Sequence, residues 1–216
     1  MKRLHVLGVV VLLSLVVSVV AGAATNPNLK VVIPKAAKAP VIDGKLNDPA
    51  WLNASIKGAK VVSDVDNTGS VLTPYPRIAY LTYDDKALYV AFTIFAPDVT
   101  KLETSFPAFS HNDEIEVFLQ PFKTGSHLQY GVTASGATGG TGTGAEVVVF
   151  REGIRWVVEM AIPWTSTGGK APQPGDEWGL NLCGRQVAFG DQWIAWNCTF
   201  GGFHNPSMFG TAIFGE

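Results

Sequence analysis

The chain has 216 residues, with 16 Lys or Arg against 18 Asp or Glu, so its formal net charge is −2 at pH 7. No stretch concentrates basic side chains in the way that phosphate binding needs, which excludes nucleic acid as an expected partner. The length suits one domain with a sizeable core. Nothing after the N-terminal segment is apolar for long enough to cross a membrane, so we expect no membrane span in the mature chain.

Residues 1–23 have the pattern of a secretory signal peptide. Lys2 and Arg3 supply positive charge, an apolar run follows, and small residues at 21–23 suit a signal peptidase. The apolar run covers about sixteen residues, fewer than the roughly 20 that a membrane-spanning helix needs. We therefore expect cleavage before Ala24 and a secreted or periplasmic chain, in which 14 basic residues remain against 18 acidic ones.

Residues 24–39 mix Asn, Pro, Lys and Ala without stable periodicity, which predicts an N-terminal linker ahead of a folded domain over residues 40–216. From Pro40 onward, short alternating segments lie between turn residues. That pattern is typical of antiparallel strands in a sandwich or a barrel. A helical turn near residues 49–54 is the one helical signal after the N-terminal segment.

Three segments, residues 87–95, 114–120 and 155–162, carry large apolar side chains at every second position. The side chains predicted to enter the core are Leu88, Val90, Phe92, Ile94, Ile115, Val117, Leu119, Trp156, Val158, Met160 and Ile162. Further strands are predicted at 77–83, 145–150, 178–187, 193–199 and 209–214. The glycine-rich stretch 135–144 predicts a flexible loop.

The chain has two cysteines, Cys183 and Cys198, and both would enter an oxidising compartment. If Gly190 and Asp191 form a two-residue hairpin turn, the two cysteines lie directly opposite each other on neighbouring strands. This spacing predicts a disulfide between Cys183 and Cys198. Two buried free thiols are the alternative.

Patterns that would indicate catalysis are scarce. The sequence has no Gly-x-Ser-x-Gly elbow, no phosphate-binding loop, no His-Glu-x-x-His and no Cys-x-x-Cys. Glu116 and Glu159 could be read as the carboxylate pair of a glycosidase, but sandwich strands commonly carry solvated glutamates. We therefore expect a binding domain and no enzyme.

Several short motifs follow one another in an order that resembles the family 9 carbohydrate-binding modules. They are PVIDG at 40–44, DPAW at 48–51, YDDKALYV at 83–90, NDEIEVFL at 112–119, EMAIPW at 159–164, PGDEWGLN at 174–181 and PSMFG at 206–210. The resemblance covers residues 36–214. It implies an all-β fold, an antiparallel two-sheet β-sandwich of jelly-roll type, that binds an oligo- or polysaccharide such as glucan or xylan, including chain ends.

The resemblance also implies a slot in which two aromatic rings clamp a sugar, while carboxylate and amide groups bind its hydroxyls. Phe109 and Phe203 lie at or beside the two aromatic positions, which are Trp in a sugar-binding member, and a family arginine falls at Gly131. Trp193 and Trp196 should face opposite ways, one into the core and one free to bind. The predicted ligand-binding residues are Phe109, His111, Glu116, Gln129, Trp196, Phe203 and His204.

Relatives of this kind often hold a structural calcium, for which Asp98 and Asp113 are the candidate ligands because hard cations prefer oxygen. Related sandwiches also include haem b proteins of electron transfer, and Met208, His204 and His111 are the residues that this alternative would use. A further alternative is an exported structural or interaction domain whose sugar site has decayed. An exported binding domain can associate with exported glycan-processing enzymes, which are the expected protein partners.

Overall fold

A computed structural model describes residues 28–190 and 192–216, so the predicted signal peptide and its cleavage site lie outside the described residues. Within these residues the chain forms one α-helix, α1 (Pro49–Ile56), and the strands β1 (Lys30–Ile33), β2 (Lys60–Asp66), β3 (Leu72–Tyr83), β4 (Ala87–Phe95), β5 (Glu114–Gln120), β6 (Leu128–Thr133), β7 (Thr138–Gly139), β8 (Glu146–Glu152), β9 (Arg155–Pro163), β10 (Glu177–Gln186), β11 (Gln192–Ala195) and β12 (Gly210–Phe214). Short 3₁₀ turns occur at Val99–Lys101, Phe109–His111, Pro121–Lys123, Trp164–Thr167 and Pro206–Met208. In this part of the chain, no helix combines the length and apolar character that a membrane span requires.

The strands form one curled sheet in the order β7-β6-β5-β10-β11-β2-β3-β4-β9-β8. All these pairings are antiparallel; β12 adds to β10, and β1 pairs with β12 in parallel. Only two residue pairs join β11 to β2, namely Ile194 with Asp66 and Ala195 with Val65. This narrow junction lets the sheet fold into two layers over one core, so the predicted all-β sandwich is confirmed.

The period-two pattern predicts the core well. Strands β4 and β5 have the predicted bounds, and all the inward side chains predicted for β4, β5 and β9 pack in one apolar cluster. Leu88, Ile115 and Met160, one from each strand, are fully buried. Because side chains alternate along a strand, the other face of β5 presents Glu114, Glu116 and Phe118 away from this core.

Strand β1 corrects the predicted linker over residues 24–39. Residues 30–33 pair with β12, and Val31 and Ile33 are buried in the main core. A strand of four residues is too short to show periodicity, and its partner lies at the far end of the chain. The folded domain therefore begins before Pro40.

The hairpin of β10 and β11 corrects the predicted disulfide. Cys183 lies opposite Ala195, and Cys198 lies beyond the end of β11. Two backbone N–H groups just after β10 donate to the Asp113 carboxylate instead of extending the ladder, so the connection is longer than a two-residue turn. The pairing of β10 with β11 is therefore shifted from the predicted one. Both cysteines are buried free thiols, as in the alternative.

Candidate functional site

A cleft of about 420 Å³ opens over the outward face of β5 and β6. Five of the seven predicted ligand-binding residues line it: Phe109, Glu116, Gln129, Phe203 and His204. Its other lining residues are Asn67, Ser110, Trp193 and Gly202. The cleft thus combines aromatic rings, one carboxylate and two amides, a set of groups suited to a small polar ligand with apolar faces.

The first aromatic wall, Phe109, lies on a 3₁₀ turn that Asn112 holds in place. The Asn112 amide donates to the carbonyls of Phe106, Ala108 and Phe109 at 3.0, 2.9 and 3.2 Å, and its oxygen accepts from the Phe106 N–H at 3.0 Å. Asn112 is itself buried. The NDEIEVFL motif therefore positions Phe109 through its first residue.

The Phe109 ring rests on two glycines of neighbouring strands. Gly131 on β6 pairs with Gly139 on β7, and a Cβ at these positions would lie only 2.2 and 2.1 Å from ring atoms of Phe109. Only glycine leaves room for the ring. The stretch predicted to be a flexible loop therefore contains a strand, β7, that supports the cleft, and the ring covers Gly131, where the resemblance places an arginine.

Glu116 forms the floor of the cleft and is 2% exposed. The Gln129 amide on the adjacent strand donates to its Oε2. Burial raises the pKa of Glu116 to about 6, although the hydrogen bond from Gln129 and the positive charge of Arg77 favour its ionised form. Most of the carboxylate is therefore ionised at neutral pH and can accept hydrogen bonds.

Two further charged side chains, Arg77 and Glu114, are buried near Glu116. Arg77 on β3 donates to the backbone carbonyl of Glu114 at 3.5 Å, and both side chains are buried. Burial raises the pKa of Glu114, as does the negative charge of Glu116, while burial lowers the pKa of Arg77. Sequence reasoning missed Arg77, because nothing in the sequence indicates that an arginine on a strand of the other layer lies near Glu114 and Glu116.

The tryptophan at the cleft is Trp193, which corrects the prediction of Trp196. Trp193 is half-buried and lines the cleft, whereas Trp196 is buried in the main core and its backbone N–H donates to the Leu182 carbonyl at 2.8 Å. The two rings do take opposite sides, as predicted. The assignment is reversed because the β10–β11 register places Trp193 opposite Arg185 on the outward face.

The segment around Phe203 and His204 forms the remaining wall. Phe203 is 6% exposed, and His204 is exposed with its Nδ1 atom 2.9 Å from Nε2 of His127. His111 is exposed, lies edge-on to the Phe106 ring and is not one of the residues that line the described cleft. Met208, named with the histidines for the haem alternative, also lies outside this lining.

The two aspartates predicted to bind calcium have other partners. The Asp113 carboxylate accepts from the backbone N–H groups of Glu103 and Val187 at 2.6 and 2.8 Å, and Asp98 accepts from the N–H and hydroxyl of Thr100 at 2.9 and 2.6 Å. Across residues 28–190 and 192–216, no group of three or more His, Cys, Asp or Glu is placed to hold a metal ion. Both aspartates cap loops and turns, and calcium binding by them stays a prediction.

Glu159 lies in the other layer of the sandwich, on β9. Its carboxylate accepts from the N–H groups of Asp43 and Gly44 at 2.9 and 2.6 Å and from the Trp51 indole at 2.8 Å. These donors belong to the PVIDG and DPAW motifs, so Glu159 ties both motifs to β9. It does not share the cleft with Glu116.

Two solved structures of a family 9 carbohydrate-binding module from Caldicellulosiruptor kristjanssonii share this fold. The complex with glucose matches with a TM-score of 0.69 at 21% identity, covering 87% of this chain and 97% of that one. The complex with cellotriose matches with a TM-score of 0.68 at 20% identity, covering 87% and 94%. A Bacteroides uniformis ATCC 8492 protein, described provisionally as carbohydrate-binding, has a TM-score of 0.63 at 13% identity and covers 86% and 98%.

No curated protein matches the sequence. The family model described as carbohydrate family 9 binding domain-like matches residues 42–216, which is most of the chain and nearly all of the described sandwich. The matched range contains α1, strands β2 to β12 and every residue that lines the cleft. The chain therefore belongs to the carbohydrate family 9 binding domain-like family.

Proposed function

We propose that this protein is a non-catalytic carbohydrate-binding domain that holds glucan or xylan oligosaccharides, including chain ends, in the cleft. The observation that carries the proposal is the placement of Phe109, Trp193 and Phe203 around one buried carboxylate, Glu116, in a cleft of about 420 Å³. Pyranose rings have apolar C–H faces that pack on aromatic planes. A cleft of this volume suits a small ligand.

The polar groups of the cleft support the same proposal. A sugar hydroxyl both donates and accepts, so it pairs well with a carboxylate beside an amide, as in Glu116 and Gln129. Asn67 adds an amide, and its Nδ2 donates to the Gly201 carbonyl at 2.7 Å, which fixes the opposite rim. The cleft thus presents polar groups in fixed positions, which favours selective binding.

The similar solved structures support the choice of sugars to test. The Caldicellulosiruptor kristjanssonii module has structures with glucose and with cellotriose, which makes short glucans the first ligands to test. Export fits this function, because cell-wall glucans and xylans occur outside the cytoplasm. Residues 1–23 would direct the chain there, where exported glycan-processing enzymes are the proposed partners.

Titration calorimetry with cellobiose, cellotriose, xylobiose and xylotriose tests the proposal. We expect the unchanged protein to bind members of this panel and Phe109→Ala to bind at least about tenfold more weakly, which corresponds to about 1.4 kcal/mol. Phe106→Ala is the matched control, because Phe106 belongs to the same loop, is 49% exposed and does not line the described cleft.

The control variant should bind like the unchanged protein. Absence of heat with every glucan and xylan would overturn the proposed function. A Soret band in the purified protein would support the haem alternative instead.

A further inference from the structure

We propose that Trp193, rather than Phe203, is the aromatic platform that faces Phe109 across the cleft, and that Arg185 is the positioning residue that orients it. The inference rests on the proposed sugar binding. It concerns a different pair of rings from the one that the family resemblance implies.

Phe203 is poorly placed to stack on a ligand. It is 6% exposed and packs in a compact cluster with Phe118, Cys183, Ala195 and Phe209. Its ring lies 6.1 Å from that of Phe118 at 66°. These neighbours occupy most of its surface, so Phe203 offers a ligand little more than an edge.

Trp193 is half-buried and lines the cleft. Its ring lies 5.6 Å from that of Phe203 at 71°, an edge-to-face contact in which Phe203 supports the indole. The chain has six tryptophans, all within the described residues, and the other five are at most 8% exposed. Trp193 is therefore the tryptophan with surface left to meet a ligand.

Arg185 holds the other side of the indole. Its guanidinium lies 4.7 Å from the ring centroid of Trp193, on the neighbouring strand and directly opposite in register. Its Nη1 also donates to the carbonyl of Ser110, the residue after Phe109, at 3.3 Å. A guanidinium stacks well on an indole face, and this one also contacts the turn that carries Phe109. Arg185 thus links the two walls and sets the distance between them.

Matched leucine variants separate the two rings. In titrations with cellotriose and xylotriose, we expect Trp193→Leu to bind at least tenfold more weakly and Phe203→Leu to lose no more than about threefold in affinity. Thermal unfolding should show the opposite order, with the larger drop in midpoint for Phe203→Leu, because the more buried ring leaves the larger void. A tenfold loss for Phe203→Leu with Trp193→Leu unaffected would overturn the inference.

Tryptophan fluorescence provides an independent readout. Saturating cellotriose or xylotriose should change the emission of the unchanged protein, and Trp193→Phe should abolish that change, since the other five indoles are buried. A change that persists in Trp193→Phe would come from another tryptophan and would contradict the assignment.

The role of Arg185 is tested by Arg185→Gln and the conservative variant Arg185→Lys. Loss of the guanidinium should increase the quenching of Trp193 emission by acrylamide and weaken sugar binding several-fold, while lysine restores part of both. Unchanged quenching and affinity in Arg185→Gln would refute the positioning role. If the unchanged protein binds no sugar, this inference and the proposed function both fail; if it binds sugar equally well with Trp193→Leu, only this inference fails.

Discussion

Glu116 is the one carboxylate in the described lining of the cleft, and its burial makes it sensitive to pH near neutrality. With a pKa of about 6, it gains a proton between pH 7 and 5 and loses acceptor capacity. We therefore expect sugar affinity to fall as the pH is lowered through about 6. Calorimetry with cellotriose from pH 5 to pH 8 measures this change.

Glu116→Gln is the control, because it keeps an oxygen acceptor next to Gln129 without the charge. It should bind more weakly at pH 7 and show little dependence on pH. His127 is another titratable group near the cleft, and burial and the charge of His204 both lower its pKa. A pH dependence that survives in Glu116→Gln would come from a group other than Glu116 and would contradict the prediction.

Stability should follow the opposite trend with pH. The folded-state pKa of Glu116 is raised. Its contribution to the free energy of unfolding is therefore fully present below the unfolded-state pKa near 4.5 and is lost as the pH rises through about 6. The difference between the two pKa values corresponds to about 2 kcal/mol in the free energy of unfolding. Glu116→Gln should remove this part of the pH dependence in urea unfolding of the unliganded protein.

At the scale of elements, Glu159 joins β9 to α1 and to the segment before it. Glu159→Ala would leave three N–H donors without their acceptor, at Asp43, Gly44 and Trp51. We expect a loss of about 2–4 kcal/mol in the free energy of unfolding, measured with urea. Glu159→Gln keeps one acceptor and should lose less. Equal stability of Glu159→Ala and the unchanged protein would show that these bonds do not hold the motifs in place.

The elements that sequence reasoning predicted best are those with an uninterrupted apolar face. Strands β4, β5 and β9 were found to within a residue, because their inward positions are all large and apolar. Strand β6 was missed, since its outward positions Gln129 and Gly131 serve the cleft and give no apolar pattern. The β10–β11 register was wrong because Asp113, far away in sequence, holds the intervening loop.

The candidate site was less predictable than the fold, because most motif residues support the fold and most cleft residues lie outside the motifs. Several motif residues that carry the resemblance are structural: Glu159 and Asn112 bind backbone groups, and Asn181 accepts from the N–H of Asn197 at 3.0 Å. Most residues that line the cleft, such as Gln129 and Trp193, lie between the motifs. A motif pattern therefore predicts the scaffold, while the ligand groups depend on how loops pack on it.

At the scale of the whole molecule, the two ends of the described chain meet. Besides the four residue pairs between β1 and β12, the Thr211 N–H donates to the Leu29 carbonyl at 2.8 Å, and the Gly215 N–H donates to the Ile33 carbonyl at 2.8 Å. This contact makes the N-terminal segment part of the sandwich. It also covers the edge of β12, which would otherwise be open to pairing with another chain.

Truncation tests whether this segment belongs to the domain or is a linker. A chain that starts at residue 35 loses β1 and the buried side chains of Val31 and Ile33, each of which contributes roughly 1.5–3 kcal/mol by burial. We expect its urea midpoint to fall sharply, or the chain to aggregate through the exposed edge of β12. A chain that starts at residue 28 keeps β1 and should match the longer protein. Equal midpoints for the two truncated chains would mean that β1 adds nothing to stability, and the domain boundary would then return to Pro40.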